Sequence, residues 1–272
     1  MEKINNSPNK DNDSEKKAFG TLEWACTNVN FISGCYHDCK YCYAKSMAVR
    51  FKRKTKTNWK IEEIREKSIP KSFKKFEGRV MFPSSHDIQP KHINESLKVI
   101  RTILESGNEI LIVTKPHREC IEAICEEFKK YKDKILFRFT IGSIDSETLE
   151  FWEPNAPSFE ERFECLEHAY LKGFKTSVSA EPFLDDNVYD VIDITMPFLT
   201  DSIWVGKANK LASRLKFNGV TDSKSLKAAK ELDEWQANDD NIIALYNRYK
   251  KNKKVMWKES IKKVLDKNNL KY

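Results

Sequence analysis

Residues 34–43 read GCYHDCKYCY and bring Cys35, Cys39 and Cys42 into one loop at the spacing C-x3-C-x2-C. Three is an awkward number of cysteines. A closed structural zinc site takes four protein ligands, and a disulfide takes two. Three thiolates in so short a loop can hold three corners of a [4Fe-4S] cubane, leaving the fourth iron open to a small molecule. His37 lies inside the loop as a conceivable fourth ligand. Its place between two thiolates makes simultaneous binding geometrically awkward.

Working outward, the loop directly follows NVNFIS (28–33), the first of a series of short β-rich runs. The others are RVMFP (79–83), EILIVT (109–114), KILFRFT (134–140), KTSVSA (175–180) and SIWVG (202–206). Runs of this length, rich in Val, Ile, Phe and Thr, suit buried strands. Helical spacing lies between them, at 43–52, 61–67, 93–107, 118–131, 158–173 and 186–199. Leu97, Ile100 and Leu104 share one face, with Gly107 as the stop. Ser158 followed by Glu161 reads as a capping box. Six strands, each followed by a helix, imply parallel pairing with right-handed crossovers, which an open sheet or a barrel would satisfy. The cysteine loop then stands at the C-terminal end of a strand, where α/β folds place their chemistry. Residues 1–18 read as a disordered tail, 19–220 as the barrel domain and 221–272 as a Lys-rich C-terminal helical extension.

The chain's 272 residues and 40% hydrophobic content fit one large domain that needs no disulfide staples. No run approaches the roughly 20 apolar residues of a membrane span, and the start is polar, so a cytoplasmic protein with no membrane partner is expected. Seven cysteines, of which only three are clustered, fit that reducing compartment. The net charge of +7 permits an acidic partner, although charges of both signs are mixed throughout.

C-x3-C-x2-C after strand one, with an aromatic just before the last cysteine, resembles the radical S-adenosylmethionine (SAM) superfamily. The longer stretch GCYHDCKYCYAK (34–45) is similar to its spore photoproduct lyase-like branch. The resemblance implies an α/β fold, a partial (β/α)6 TIM-like barrel, with Cys35, Cys39 and Cys42 as metal ligands of a [4Fe-4S] cluster. It implies SAM bound at the open iron and cleaved by one electron to a 5′-deoxyadenosyl radical, which takes hydrogen from a substrate. An electron donor such as flavodoxin or ferredoxin would be a partner. Carried over position by position, the resemblance puts Ser84 and Ser85 of FPSSHDIQP (82–90) at the SAM amino group and Lys115 of TKP at its carboxylate. Thr140 or Ser143 would contact ribose or carboxylate, and Glu181 of SAEP ribose or substrate. Tyr41 would pack on adenine or the cluster. Tyr43 matches a tyrosine linked to hydrogen-atom transfer. Glu153 and Pro154, in EPNAPSFEER (153–162), read as structural.

The chain also departs from that branch. The hydrogen-donating cysteine of the lyases is matched by Ser84, a poor hydrogen-atom donor, which argues against spore photoproduct repair. Cys120, Cys125 and Cys165 stand at apolar helical spacing and read as core, and Cys26 is unassigned. The absence of cysteine after Cys165 argues against an auxiliary cluster. RFKRKTKTNWK (50–60) is basic and aromatic, so phosphates gripped by Lys and Arg and a base stacked on Trp59 would suit nucleic acid or a nucleotide as partner. The alternatives are the same chemistry on a small metabolite or protein side chain, or a non-catalytic iron–sulfur or zinc protein.

Overall fold

The structure, a computed structural model, describes residues 20–272, so the expected tail 1–18 lies outside the described residues. Seven parallel strands form one sheet in the order β1-β4-β5-β6-β7-β8-β9. They are β1 (Thr27–Asn28), β4 (Arg79–Phe82), β5 (Glu109–Thr114), β6 (Ile135–Thr140), β7 (Lys175–Ala180), β8 (Ile203–Val205) and β9 (Val255–Trp257). The edges β1 and β9 do not meet, so the sheet is an open, partial barrel. Ten helices accompany it among the described residues. These are α1 (Tyr43–Arg50), α2 (Ile93–Glu105), α3 (Arg118–Glu127), α4 (Ser146–Trp152), α5 (Phe159–Leu171), α6 (Val188–Thr195), α7 (Leu211–Asn218), α8 (Ser223–Ala237), α9 (Asp239–Tyr249) and α10 (Glu259–Lys267). No helix among the described residues is long and apolar enough to cross a membrane.

The α/β reading holds, with three local differences. The run 28–33 is not one strand. Asn30 uses its side-chain oxygen to accept the amides of Ser84 (2.8 Å) and Ser85 (2.9 Å), and the chain turns there. Beyond it β2 (Ile32–Ser33) pairs antiparallel with β3 (Glu63–Ile64). The run 61–67, expected as helical, supplies that strand and a short 3₁₀ turn at Glu66–Ser68. The C-terminal segment, expected as helical, also adds β9 to the main sheet beside β8.

Helices cover the outward face of the sheet. Val80, Phe82, Ile110, Ile112, Ile135, Phe137, Phe139, Val178 and Ile203 are all fully buried in one core there. Burying each such side chain stabilises the fold by about 1.5–3 kcal/mol. α2 contributes Val99, Ile100, Ile103 and Leu104 to this core, with Leu97 at its edge. α5 begins with half of the expected capping box: Ser158 Oγ accepts the Glu161 amide at 3.3 Å, whereas the Glu161 carboxylate accepts the Arg118 amide at 3.0 Å. The inward face holds a smaller apolar group of Met81, Leu111 and Leu136 with Ala25. Beyond that group the inward side chains turn polar.

Candidate active site

At the C-terminal ends of the strands lies a cavity of about 640 Å³. Its lining includes Cys35, Cys39 and Cys42, and also Tyr41, Tyr43, Ser84, Ser85, Lys115, Thr140 and Glu181. The lining does not include Ser143, which is fully buried, donates its hydroxyl to Asp185 and accepts the Asp145 amide at 2.9 Å.

The cysteine loop is held from several sides. Gly34 opens it at φ +100°, a conformation suited to glycine, and a Cβ there would lie 2.5 Å from the Ile61 carbonyl oxygen. The Cys35 amide donates to the Trp59 carbonyl at 3.0 Å, and the Lys40 amide to that of Trp152 at 2.9 Å. Asn218, buried at the end of α7, donates to the carbonyls of Lys40 (2.9 Å) and Cys42 (3.0 Å) and accepts from Ser46 Oγ (2.9 Å). Cys42 caps α1, its sulfur accepting the Lys45 amide at 3.3 Å. Burial pushes all three thiols above their ordinary range; at Cys35 the Asp87 carboxylate adds to it, and at Cys42 the backbone N–H of Lys45 partly offsets it.

His37 points away from the thiols' cavity and into a buried polar chain. Its Nδ1 lies 3.2 Å from Asp87 Oδ2, and its Nε2 lies 3.0 Å from Nε2 of His117. Asp87 also accepts the Thr114 hydroxyl and the amides of Ile88 (2.8 Å) and Lys115 (3.0 Å). Burial alone would raise the Asp87 carboxyl, but His37, Lys115 and Thr114 hold it well below the carboxylate range. The same aspartate thus fixes the cysteine loop and the backbone of Lys115.

Glu153 lies at the centre of a second buried network. Tyr41 donates its hydroxyl to Oε1, Arg162 lies 2.5 Å from Oε2 and Lys115 Nζ lies 3.7 Å from Oε1. Arg162 is satisfied further by the carbonyls of Pro157 (2.9 Å) and Thr140 (3.1 Å). Burial would raise the Glu153 carboxyl, yet Arg162 and Lys115 keep it below its ordinary value. Pro157, Glu153 and Arg162 all belong to EPNAPSFEER, whose acid and base form this ion pair. Elsewhere in the cavity lining, Lys258 after β9 lies 2.6 Å from Glu23 and 3.4 Å from Glu181. Gly206 lets the chain pass between these side chains, since a Cβ there would lie 2.9 Å from Glu181 Cγ and 3.0 Å from Lys258 Cβ.

A model of the radical SAM superfamily matches residues 29–191, well over half of the chain. The chain belongs to the radical SAM superfamily. It is accordingly an enzyme of the radical SAM class. It is similar to uncharacterized protein ORF301 of Acidianus two-tailed virus, at 26% identity over 235 residues, spanning 78% of this chain and 75% of that one. It is also similar to uncharacterized protein MJ0683 of Methanocaldococcus jannaschii, at 28% identity over 191 residues, spanning 68% of this chain and 71% of that one. Among solved structures, spore photoproduct lyase complexed with dinucleoside spore photoproduct superposes with a TM-score of 0.54. That match covers 85% of this chain and 75% of the lyase at 14% identity, a likeness of fold.

The superfamily implies SAM and an iron–sulfur cluster, and the donor set fits both. Three thiols share one cavity wall with hydroxyls, a lysine and a glutamate. Among the described residues no three His, Cys, Asp or Glu side chains converge tightly enough to hold a single metal ion.

Sequence reasoning left the network around the loop unread. Glu153 and Arg162 had a signal, an acid and a base nine residues apart in one motif. Asn218, Arg214 and Lys258 had none, because nothing local marks a residue that arrives from another element. Trp59 is a correction. It is buried against Cys35 and Ala48, so it offers no face to a base. Lys54 of the same stretch is buried too, 2.9 Å from the Ile61 carbonyl and 3.0 Å from Glu63.

Proposed function

We propose that Cys35, Cys39 and Cys42 hold a [4Fe-4S] cluster and that SAM fills the rest of the cavity, its adenosyl part directed toward a substrate nucleotide or nucleic acid. The observation that supports this most is the shared wall: the three thiols, Ser84, Ser85, Lys115, Thr140 and Glu181 line one cavity although they come from five different segments. A cluster held by Cys35, Cys39 and Cys42 would supply one-electron reduction of SAM from a flavodoxin- or ferredoxin-class donor, giving methionine and a 5′-deoxyadenosyl radical for hydrogen-atom transfer from the substrate. The protein's own work is to bind, orient and exclude water. Lys115, held beside Glu153, offers its ammonium to the SAM carboxylate. Asn30 donates to Ser84 Oγ at 2.8 Å, leaving the Ser84 hydroxyl proton for an acceptor in the cavity. Thr140 and Glu181 face the ribose end. Tyr41, buried and hydrogen-bonded to Glu153, stands against cluster or adenine, whereas Tyr43 is exposed at the mouth, open to substrate.

The nucleic-acid reading rests on the exposed surface at the C-terminal end of α1, the helix that begins at Tyr43. Phe51 is 59% exposed, with the guanidinium groups of Arg50 and Arg53 each 5.8 Å from its ring. Phe51 thus takes the stacking role expected of Trp59. The fold match to a lyase solved with a dinucleoside ligand is consistent with this class. The test is anaerobic reconstitution followed by SAM and dithionite, with 5′-deoxyadenosine as the expected product. An intact cluster that yields none overturns the proposal. Affinity for single-stranded oligonucleotide should fall steeply with salt; a flat response returns the substrate to a small metabolite or protein side chain.

A further inference from the structure

We infer that the substrate carries an oxyanion, a phosphate or carboxylate, and that Arg214 on α7 binds it at the cavity mouth. The inference rests on the radical SAM reading of this cavity. Four cations line the cavity, Lys115, Lys207, Arg214 and Lys258. Lys115 faces Glu153 at 3.7 Å, and Lys258 is enclosed by Glu23 and Glu181. Lys207 donates to the Gln236 carbonyl at 3.0 Å. Arg214 is different. Among the described residues its guanidinium has no carboxylate within ion-pair distance and no hydrogen-bond acceptor. It lies over the exposed ring of Tyr43, 5.4 Å from the centroid.

A partly buried guanidinium that meets no protein acceptor keeps its N–H groups for water or for the oxygens of a ligand. The aromatic contact does not use its N–H fork, which stays available for bidentate contact with a phosphate or carboxylate. SAM carries one carboxylate, which Lys115 takes in the proposed reading. Lys115 follows β5, whereas Arg214 follows β8, three strands further round the sheet, or roughly 14 Å along it. The two cations therefore enter the cavity from different segments of the fold. Arg214 also comes from the helix that ends in Asn218, the residue clamping the cysteine loop. The substrate contact and the loop clamp thus share one rigid element.

The test uses reconstituted protein at matched ionic strength. Calorimetry measures SAM affinity, and thermal unfolding measures protection by inorganic phosphate and by malonate. Wild type should be protected by at least one anion. Arg214→Gln should lose that protection while SAM affinity stays within about twofold, and Arg214→Lys should keep part of it. Equal protection of wild type and Arg214→Gln overturns the inference, as does protection by neither anion. A tenfold loss of SAM affinity in Arg214→Gln also overturns it, because the oxyanion would then be SAM's own. Should Arg214→Gln not fold, Arg214→Lys decides by the same two readings. Failure of the underlying reading looks different, since wild type would then bind no SAM.

Discussion

Phe137, Arg138, Phe139 and Thr140 are consecutive residues of β6, and they belong to two different regions. Phe137 and Phe139 point outward into the helix-covered core, fully buried. Arg138 and Thr140 point inward. Arg138 is 3% exposed and donates to Ser177 Oγ at 2.9 Å, with Asp201 3.7 Å away. Both faces are shielded from water, yet they are stabilised differently. The outward face needs only apolar volume in the right place. The inward face relies on partners for most of its buried polar atoms, because a buried donor left unpaired costs about 1–3 kcal/mol; Arg138 Nη1 has none, and its guanidinium packs 4.7 Å from the Trp24 ring centroid. The same contrast separates the Ile- and Phe-lined shell from the Asp87 and Glu153 networks.

Four substitutions or conditions test this contrast, ordered by expected effect on stability. Phe137→Ala should lower the unfolding free energy by about 3–5 kcal/mol, read by urea denaturation. The folded fraction should still bind SAM; lost binding would mean that the outward face also shapes the site. Arg162→Met should cost a comparable 3–5 kcal/mol or slightly less, because Glu153 is left charged and buried. Adding Glu153→Leu should restore most of it. A single variant as stable as wild type would show that the inward networks do not depend on pairing.

His86 lies at the seam of the two regions, lining the cavity while its ring packs on Phe31 and Phe82. Its Nε2 accepts the Phe31 amide at 3.3 Å, and burial lowers its pKa to about 4. The folded state therefore takes up this proton later than the unfolded chain as the pH falls. Stability is present above the ordinary histidine pKa and is lost as pH falls from there toward 4. Between pH 7 and pH 5 the loss should be about 2 kcal/mol, and His86→Gln should flatten that slope in denaturant titrations. An unchanged slope would assign the acid sensitivity elsewhere. Smallest in stability is Cys39→Ser, at about 1 kcal/mol in protein without the cluster. Its effect on iron content and on visible absorbance should nonetheless be complete. Iron retained at the wild-type level would remove Cys39 from the ligand set.

Legibility in the sequence follows the same division. The β4, β5, β6 and β8 runs were readable because buried parallel strands are written as largely apolar segments, and β7, KTSVSA, by its β-branched Thr176 and Val178. The cysteine loop was readable because its three ligands are local. β3 and β9 were not: β3 has two residues, and β9 is a three-residue run set between Lys254 and Lys258 in a Lys-rich segment that reads as helical surface. Trp59 was misread because basic neighbours imply exposure, whereas the antiparallel β2–β3 pair folds that segment back onto Cys35. His37 looked like a spare ligand until Asp87 and His117 accounted for its two nitrogens.

The sequence by itself determined the outward shell, the parallel α/β order and the three thiols, because each depends on residues close together in the chain. Only the tertiary structure decided what surrounds those thiols. Arg214 and Lys258 reach the cavity, and Asn218 the cysteine loop, from 170 or more residues beyond that loop, and Glu153 reaches Tyr41 in it from more than 110. Their roles come from three-dimensional convergence of charge and hydrogen bonds, and no periodicity or local spacing encodes that.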